Sequence, residues 1–216
     1  MPKKQLKEFQ LQSLGYKTIA GVDEAGRGAW AGPIVAGAAV FDLAKLKKNQ
    51  TKISKLIKDS KVLTPKKREQ TFHLLTTKWL QAWGIGVVRA TQIDKHGLTW
   101  ANHEVMHRAL KNLGLTPDYI LIDAVKLKTE NIPNEPIIDG DAKVLSIAAA
   151  SIIAKFLRDT MMVQLNKDNP EYCLDQHKGY GTKLHQEKLK KHGASHLHRK
   201  SYKPLKNVKI QISNVK

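Results

Sequence analysis

The sequence predicts an α/β fold in which a mixed β-sheet is covered by helices. Two short runs of small apolar residues follow each other near the N-terminus, as expected for a hairpin of buried strands. Apolar runs of strand length then alternate with helical patterns, which is typical of a layered α/β domain. A long stretch at residues 142–166 is apolar nearly all round in its first half, which predicts a helix buried against the sheet.

Five segments have the composition of strands. The first, KTIAGVDEAG, leads into a glycine-rich exit, and the second, GPIVAGAAVFD, has the small apolar residues expected of its hairpin partner. The later segments are WGIGVVRA, DYILIDA and EPIIDGD, of which the last is either a short strand or the exit from one. Because helical patterns separate these later segments, the sheet is expected to be mixed.

Helix signals fill the intervals between the strands. Beside the long helix, helical patterns cover residues 44–64, 64–82, 91–114 and 183–192. The segment at 44–64 is basic and only weakly helical, whereas the next one opens with Thr64 as the N-cap and Pro65 at the first helical position. The pattern at 91–114 fits one or two helices ending at Gly114, and Gly193 is expected to stop the last helix.

Positive charge is concentrated in two blocks of the chain. The 216 residues carry a net charge of +18: residues 45–68 carry +9, residues 177–216 carry +10, and the rest of the chain together carries −1. Clustered basic residues predict a polyanionic partner, most often nucleic acid, whereas a surface that only confers solubility is the alternative. The length allows one substantial core, or one domain with a small appendage.

Nothing in the composition predicts a membrane span or an extracellular location. The longest apolar stretch, near residues 146–154, is much shorter than the eighteen residues or so that a bilayer requires. The N-terminal segment MPKKQLKEFQ lacks the apolar block of a signal peptide. Because Cys173 is the single cysteine, no internal disulfide can form, and a reducing, cytoplasmic location is expected.

Four acidic residues stand where predicted strands end, namely Asp23, Glu24, Asp123 and Asp141. Carboxylates at strand ends can converge on one rim of a sheet. Carboxylate oxygens without nearby cysteine or histidine ligands favour Mg²⁺ or Mn²⁺ over zinc. In a basic protein, such a cluster predicts phosphodiester hydrolysis by two metal ions.

Each acid also has a purely structural interpretation. Asp23 and Glu24 point to opposite faces of a regular strand, so both serve one site only if the strand bends. Asp123 could end its strand and bond a turn, and Asp141 could be the N-cap of the long helix. Asp139 is a rival for Asp141, since it lies on the same face if the strand continues. The metal-site hypothesis therefore depends on the four acids together.

Several motifs, taken in order, resemble those of type 2 ribonuclease H, and specifically the bacterial ribonuclease HII family. They are GVDEAGRGAWAGPIVAGAAV, DSKVLT, YILIDA, GDAKVLSIAAASIIAKFLRD and HKGYGTKLHQEKLKKHGASHLHRKSYKP. The resemblance runs from about residue 16 to about residue 206, which is nearly the whole chain. The Asp-Glu-x-Gly-Arg-Gly signature is specific to this family, and the distant His-Lys-Gly-Tyr element makes a chance match very improbable.

The resemblance implies a ribonuclease H-like fold, with a mixed five-stranded sheet flanked by helices and a C-terminal helical segment. It implies a catalytic domain at residues 1–170 and a basic helical segment at residues 171–216 packed on it. The family cleaves the RNA strand of RNA–DNA hybrids and nicks duplex DNA on the 5′ side of an embedded ribonucleotide. The products carry 3′-hydroxyl and 5′-phosphate ends, and the family implies a monomer.

The resemblance also implies roles for individual residues. The family's four metal-binding acids match Asp23, Glu24, Asp123 and Asp141. The fourth is Asp141 and not Asp139, because in the family it follows a glycine and precedes the long helix. The element that reads the ribose 2′-hydroxyl through its backbone matches Gly26, Arg27 and Gly28. Tyr180 matches the tyrosine that stacks on the sugar of the RNA–DNA junction, although an ordinary aromatic covering the core is the alternative.

Two positions depart from the family pattern. The family usually has Pro where this chain has Gly181, which is expected to loosen the loop. It usually has Lys where this chain has Val62, which leaves Lys61 to contact the phosphate. Beside the resemblance, Thr182 is placed to cap the following helix and direct its N–H groups toward a phosphate.

Other functions remain open on the sequence alone. A ribonuclease H-like DNA resolvase would share the acids but would have no need of a 2′-hydroxyl reader. A non-catalytic RNA-binding protein would have no need of four acids that repel phosphate. Near the C-terminus, His192, His196 and His198 have spacing that can ligate zinc, but no further soft ligand is adjacent, which favours a role in nucleic-acid contact.

Overall fold

The computed structural model describes residues 6–61, 64–129, 131–206 and 208, without the side chains of residues 59–61. In this part of the chain, one sheet has the strand order β3-β2-β1-β4-β5. Its strands are β1 Ile19–Ala25, β2 Ile34–Phe41, β3 Leu80–Val88, β4 Tyr119–Asp123 and β5 Asn134–Ile137. The first three pair antiparallel, whereas β4 and β5 run parallel to β1, so the sheet is mixed as predicted.

Helices cover both faces of the sheet. They are α1 Lys7–Ser13, α2 Leu43–Lys61, α3 Pro65–Leu74, α4 Ala90–His96, α5 Leu98–Lys111, α6 Gly140–Lys143, α7 Leu145–Asp168, α8 Leu174–His177 and α9 Lys183–His192. The predicted helix at residues 183–192 and its stop at Gly193 are confirmed. None of the described helices combines the length and apolar character that crossing a bilayer requires.

The long helix α7 lies directly on the backbone of β1 and β2. A Cβ atom at Gly21 would come within 2.0 Å of the Ser146 backbone, and one at Gly37 within 2.3 Å of the Ala150 carbonyl oxygen. Glycine in the strands and alanine in the helix therefore allow a close approach, and α5 packs on the opposite face. This contact fixes α7 relative to the end of β1.

The helix and strand bounds differ from the predictions at three places. The pattern at residues 64–82 ends as a helix at Leu74, and after a π-helical turn the chain joins β3, because residue 80 pairs with β2. The pattern at 91–114 forms two helices, as one of its alternatives allowed, separated at Gly97 with a φ of 86°, but the second ends at Lys111 and not at Gly114. The long helix is likewise preceded by the separate helix α6, because Val144 is extended.

The cap predicted at Thr64 is only partly present. Thr64 occupies the N-cap position of α3 and Pro65 follows at the first turn, but the Thr64 side chain makes no capping hydrogen bond. The proline therefore accounts for the start of this helix, since its fixed φ suits the first turn and it has no N–H to satisfy.

The C-terminal segment packs against α7 and the loop between β1 and β2. Its apolar side chains form one buried cluster with Ala31 and Met162. The contributing residues are Tyr172, Leu174, Leu189, Ala194, Leu197 and Leu205. This cluster brings the loops that flank α9 next to the loop that follows β1.

Candidate active site

Two carboxylates lie side by side where β1 and β4 meet. The strands are parallel and their register pairs Val22 with Ile122, so Asp23 and Asp123 follow as neighbours. Val22 and Ile122 both belong to the core that packs against α5. Because alternate residues point to opposite faces, Asp23 and Asp123 project toward α7, where Asp23 bonds the side chain of Ser151.

The Asp23 carboxyl is buried and holds a proton far more readily than an ordinary carboxyl. It is 6% exposed, and burial is the main reason that its pKa rises from 3.8 to about 7. The charges of Glu24 and Asp123 raise the pKa further, whereas the hydrogen bond from Ser151 and the Glu24 backbone N–H at 2.7 Å favour the ionised form. Near neutral pH this group therefore carries a proton or needs a nearby cation.

Glu24 follows Asp23 in the same strand. The pairing of β1 with β2 continues in unbroken register through Ala25, so no β-bulge separates the two acids. Burial is the largest effect that raises the pKa of Glu24, the charge of Asp123 raises it as well, and Arg27 lowers it. Because β4 ends at Asp123 while β1 continues, the two acids interact across the open edge of the sheet.

Asp123 bonds a turn, as one interpretation of the sequence allowed, and it also lies close to the two acids of β1. Its Oδ1 atom accepts a hydrogen bond of 2.7 Å from the Gly140 N–H, so it does bond the turn that follows β5. A Cβ atom at Gly140 would lie 2.7 Å from the Ile147 Cδ1 atom and 3.2 Å from this carboxylate oxygen. The same side chain raises the pKa of both β1 acids, so it is also part of the carboxylate group.

Asp141 lies in the first turn of α6, close in sequence to the turn that Asp123 bonds. It is not the N-cap of the long helix, because Val144 occupies that position. Its rival Asp139 has a left-handed φ of 53° and a carboxylate that is 75% exposed, 3.7 Å from Lys143. Asp139 therefore faces solvent rather than the other acids.

Three of the four predicted acids, Asp23, Glu24 and Asp123, act on one another through their charges. Within the described residues, no three His, Cys, Asp or Glu side chains converge closely enough to form a metal centre. The donor set nevertheless fits a hard divalent cation, since it consists of carboxylate oxygens around a buried carboxyl that a positive charge would stabilise.

The loop that follows β1, residues 26–28, is here called the recognition loop. Gly26 has a φ of 88°, and a Cβ atom there would lie 1.9 Å from the Arg158 Nε atom, so only glycine fits. At Gly28 a Cβ atom would meet nothing within 4 Å, which leaves its backbone open to solvent. The Arg27 side chain is exposed, and its charge lowers the pKa of Glu24.

The backbone of the recognition loop is held from the C-terminal segment. The Arg27 carbonyl oxygen accepts hydrogen bonds from Arg199 Nη1 at 2.9 Å and from the Tyr202 hydroxyl at 2.7 Å. Arg199 is fully buried and also donates through Nε and Nη2 to the Gly32 carbonyl oxygen, at 3.0 Å each. Sequence reasoning gave Arg199 and Tyr202 no role, because no local pattern reveals contacts across about 170 residues.

Residues 177–182, here called the tyrosine loop, place Tyr180 next to α7. The Tyr180 ring centre lies 5.5 Å from Lys155 Nζ and 5.2 Å from the Arg158 guanidinium carbon. Ser151, Lys155 and Arg158 follow one another at the spacing of one helix face. One face of α7 therefore links the Asp23 carboxyl to the recognition loop and to Tyr180. Polar residues at this spacing in an apolar helix were a signal available in the sequence.

Two further positions in the tyrosine loop are explained by their contacts. The Thr182 hydroxyl accepts a hydrogen bond of 3.3 Å from the His185 N–H, so the cap predicted there is confirmed. A Cβ atom at Gly181 would lie 2.3 Å from the indole of Trp30. The sequence argument expected this glycine to loosen the loop. In the structure the Trp30 ring packs directly against it.

The phosphate contact predicted for Lys61 lies outside the described residues. Helix α2 extends through Lys61. The Lys61 side chain and Val62 lie outside the described residues, and so does most of the tail after Lys206.

Comparisons with known proteins agree on one family. The family model described as ribonuclease HII matches residues 20–205. The ribonuclease HII of Dehalococcoides mccartyi is 44% identical over 201 residues, which cover 93% of each chain. The crystal structure of ribonuclease H2 from Pyrococcus horikoshii superimposes with a TM-score of 0.72 at 30% identity, covering 88% of this chain and 95% of that one.

A more distant structure shares the fold. Bst-RNase HIII in complex with Mn²⁺ superimposes with a TM-score of 0.60 at 18% identity, covering 95% of this chain and 73% of that one. The mixed five-stranded sheet flanked by helices is thus a ribonuclease H-like fold, as the resemblance implied. The chain belongs to the ribonuclease HII family, whose members are metal-dependent endoribonucleases that cleave the RNA strand of RNA–DNA hybrids.

Proposed function

We propose that this endoribonuclease also nicks duplex DNA on the 5′ side of a single embedded ribonucleotide, leaving 3′-hydroxyl and 5′-phosphate ends. One observation carries the proposal: a single face of α7 connects the buried carboxyl of Asp23 with both the recognition loop and Tyr180. A nuclease that needed a long hybrid would not require a reader for one ribose beside the acids. The 2′-hydroxyl is the group that distinguishes such a site from DNA.

The acids would hold Mg²⁺ or Mn²⁺ at the edge formed by β1 and β4. Asp23 and Asp123 project from neighbouring strands, Glu24 adds its charge, and Asp141 would complete the set from α6. When bound, two such ions lower the pKa of a water molecule and neutralise charge on the leaving oxygen. The Mn²⁺ complex of Bst-RNase HIII, which shares the fold, supports this class of ion.

The recognition loop would read the ribose through its backbone. Gly28 leaves its surface open for close approach by a sugar, and Gly26 gives the loop its positive φ. The two donors on the Arg27 carbonyl oxygen fix the orientation of the loop before substrate arrives. Arg27 itself is exposed and would pair with a phosphate or keep Glu24 ionised.

Tyr180 would stack on the sugar at the RNA–DNA junction, where its ring is placed by the cations of α7. Thr182 starts α9, so the N–H groups of that helix would face a phosphate of the same strand. Lys61, the last residue of the lysine-rich helix α2, would contact another phosphate. Together these groups would bind the backbone on both sides of the scissile bond.

Residues 171–216 would act as part of the catalytic unit formed with residues 1–170. Two kinds of contact between the segments support this proposal: the buried cluster that includes Met162 and Tyr172, and the hydrogen bonds from Arg199 and Tyr202 to the recognition loop. The net charge of +10 on residues 177–216 would be available for nucleic acid beside the acids.

A nicking assay tests the proposal. A DNA duplex with one ribonucleotide, a matched all-DNA duplex and an RNA–DNA hybrid are each incubated with Mg²⁺, Mn²⁺ or EDTA. We expect metal-dependent nicking of the first duplex at its 5′ side and none of the all-DNA duplex. Cleavage of the hybrid alone would refute the proposal while leaving the family activity intact. Equal cutting of both duplexes would indicate a DNA nuclease.

A further inference from the structure

Three buried imidazoles lie directly behind the tyrosine loop. His185 is 0% exposed, His198 is 1% exposed, and His177 is also buried. They come from α8, from α9 and from the segment after α9, and no carboxylate or cysteine joins them into a metal centre within the described residues. Of the three histidines whose spacing suggested zinc, His198 belongs to this buried cluster, whereas His196 is exposed.

The hydrogen bonds of His198 and His185 permit one arrangement of protons. The Ser195 backbone N–H donates to His198 Nδ1 at 3.0 Å, so the proton of His198 is on Nε2. At the other end, His185 Nδ1 lies 3.0 Å from the Tyr180 carbonyl oxygen, which can only accept. His185 Nε2 is then an acceptor for the His198 Nε2–H at 3.1 Å. We call this directed chain, from Ser195 to the Tyr180 carbonyl, the histidine relay.

Both imidazoles of the relay are neutral at physiological pH. Burial is the largest effect, and it lowers the pKa of His185 to about 4 and that of His198 to about 3. A neutral imidazole has one donor and one acceptor nitrogen, which is what a directed relay needs. The fixed backbone groups at both ends select which nitrogen is which.

The other side of the tyrosine loop is held equally firmly. His177 stacks on His185 with ring centres 4.3 Å apart, and its Nδ1 atom accepts from the Gly179 N–H at 3.1 Å. The Gly179 carbonyl oxygen accepts from the backbone N–H groups of Trp30 and Ala31, at 2.8 and 3.2 Å. The Tyr180 ring thus projects from a backbone in which the N–H and C=O groups of Gly179 and Tyr180 are all hydrogen-bonded.

We propose that His185 and His198 are positioning residues, which orient Tyr180 for recognition of a ribonucleotide through the Tyr180 carbonyl. This inference rests on the proposed role of Tyr180 in the function given above. Neither imidazole reaches solvent, so neither contacts the substrate, and both act only through the tyrosine loop. A small rotation at the Tyr180 carbonyl would displace the ring at its tip and weaken stacking on the sugar.

Ring ¹⁵N chemical shifts of the wild-type protein test the relay without any assay of activity. We expect His185 to be protonated on Nδ1, the tautomer that free imidazole side chains disfavour, and His198 and His177 to be protonated on Nε2. Observation of His185 protonated on Nε2, or of a charged ring at about pH 7, would overturn the proposal. This test stands whether or not the protein nicks at single ribonucleotides.

A matched pair of variants separates positioning from stability. His198→Gln keeps an N–H donor near the position of Nε2, whereas His198→Asn keeps only an acceptor near Nδ1. Each variant disrupts one buried hydrogen bond, so both are expected to lose stability alike. His198→Asn should lower nicking at a single ribonucleotide about tenfold relative to His198→Gln. His73→Gln, at an exposed position of α3 to which no role in the site is assigned, is the control and should match wild type.

A double-mutant cycle with Tyr180→Ala completes the test. If the relay acts through Tyr180, then His198→Asn should have no further effect on nicking in the Tyr180→Ala background, although it still lowers the melting temperature. Equal losses in both backgrounds would overturn the proposal, as would equal activity of the Asn and Gln variants. If Tyr180→Ala alone left nicking unchanged, the proposed function of Tyr180 would fail, while the tautomers would still be measurable.

Discussion

Replacing Asp23 by Asn is expected to stabilise the metal-free protein while abolishing cleavage. One pKa unit corresponds to about 1.4 kcal/mol. The rise of the Asp23 pKa from 3.8 to about 7 therefore lowers the free energy of unfolding by about 4 kcal/mol once the carboxyl is ionised. Asn has nearly the same shape and no charge, so it removes this cost, but it cannot serve as an anionic metal ligand.

The sign of the pH dependence follows from the direction of the shift. Because the pKa is higher in the folded state, the contribution of Asp23 to stability falls as pH rises from about 4 to about 7 and is constant above that. Urea unfolding in EDTA at about pH 8 should show the variant to be the more stable. The difference should disappear near pH 4, and Mg²⁺ should narrow it at pH 8 by neutralising the wild-type carboxylate.

Asp139→Asn is the matched control, since its carboxylate is 75% exposed beside Lys143 and its replacement should change stability by less than about 0.5 kcal/mol. The reasoning would be refuted if Asp23→Asn were no more stable than wild type in EDTA at about pH 8. A gain that persisted undiminished at about pH 4 would also refute it, because the folded carboxyl is then neutral and no longer lowers the stability of the wild-type protein.

Three other changes have outcomes that can be measured. As the pH falls from about 7 to about 5, each imidazole of the histidine relay should lower the free energy of unfolding by about 2 kcal/mol, because the unfolded chain binds the proton more readily than the folded one. This is measured by urea unfolding in the Asp23→Asn variant, which removes the opposing effect of the Asp23 carboxyl. Tyr202→Phe removes one of two donors to the Arg27 carbonyl oxygen and should lower kcat/KM for nicking at a ribonucleotide about fivefold. Gly181→Ala should cost about 1–3 kcal/mol in thermal unfolding, because the new Cβ atom would meet the Trp30 indole, and adding Trp30→Leu should recover most of it.

Each of these has its own control. The acid dependence should be roughly halved by His198→Gln, and an unchanged dependence would mean that the buried imidazoles do not cause it. Tyr16→Phe, whose ring packs against Tyr119 away from the recognition loop, should leave nicking unchanged. Trp30→Leu alone, with Gly181 retained, should not raise the melting temperature. A rise would argue against the fit between the two residues.

The sheet and the carboxylates were predictable because they depend on local patterns. A strand that ends in Asp23 and Glu24, and another that ends in Asp123, follow from apolar runs bounded by acids and glycine. Parallel neighbours then bring such ends together. The cap at Thr182 and the stop at Gly193 were equally local, and both are confirmed.

The features that sequence reasoning missed depend on distant contacts. Residues 80–82 fit a helical pattern, yet they join β3 because β2 offers hydrogen bonds and burial there. The buried Arg199 reads as one more charge of a basic tail, although it holds the Arg27 carbonyl from 172 residues away. The contact between Gly181 and the Trp30 ring was missed because the two residues are about 150 positions apart in the sequence.

Helix α7 sets the distance between the Asp23 carboxyl and the loops that carry Gly26 and Tyr180. Ser151 bonds the Asp23 carboxyl and Arg158 touches both Gly26 and Tyr180, and these two helical positions are separated by about 10 Å at the α-helical rise per residue. That distance is a property of backbone hydrogen bonds rather than of loop conformation. Inserting one residue between the two positions would turn Arg158 by about 100° around the helix axis, away from Gly26 and Tyr180.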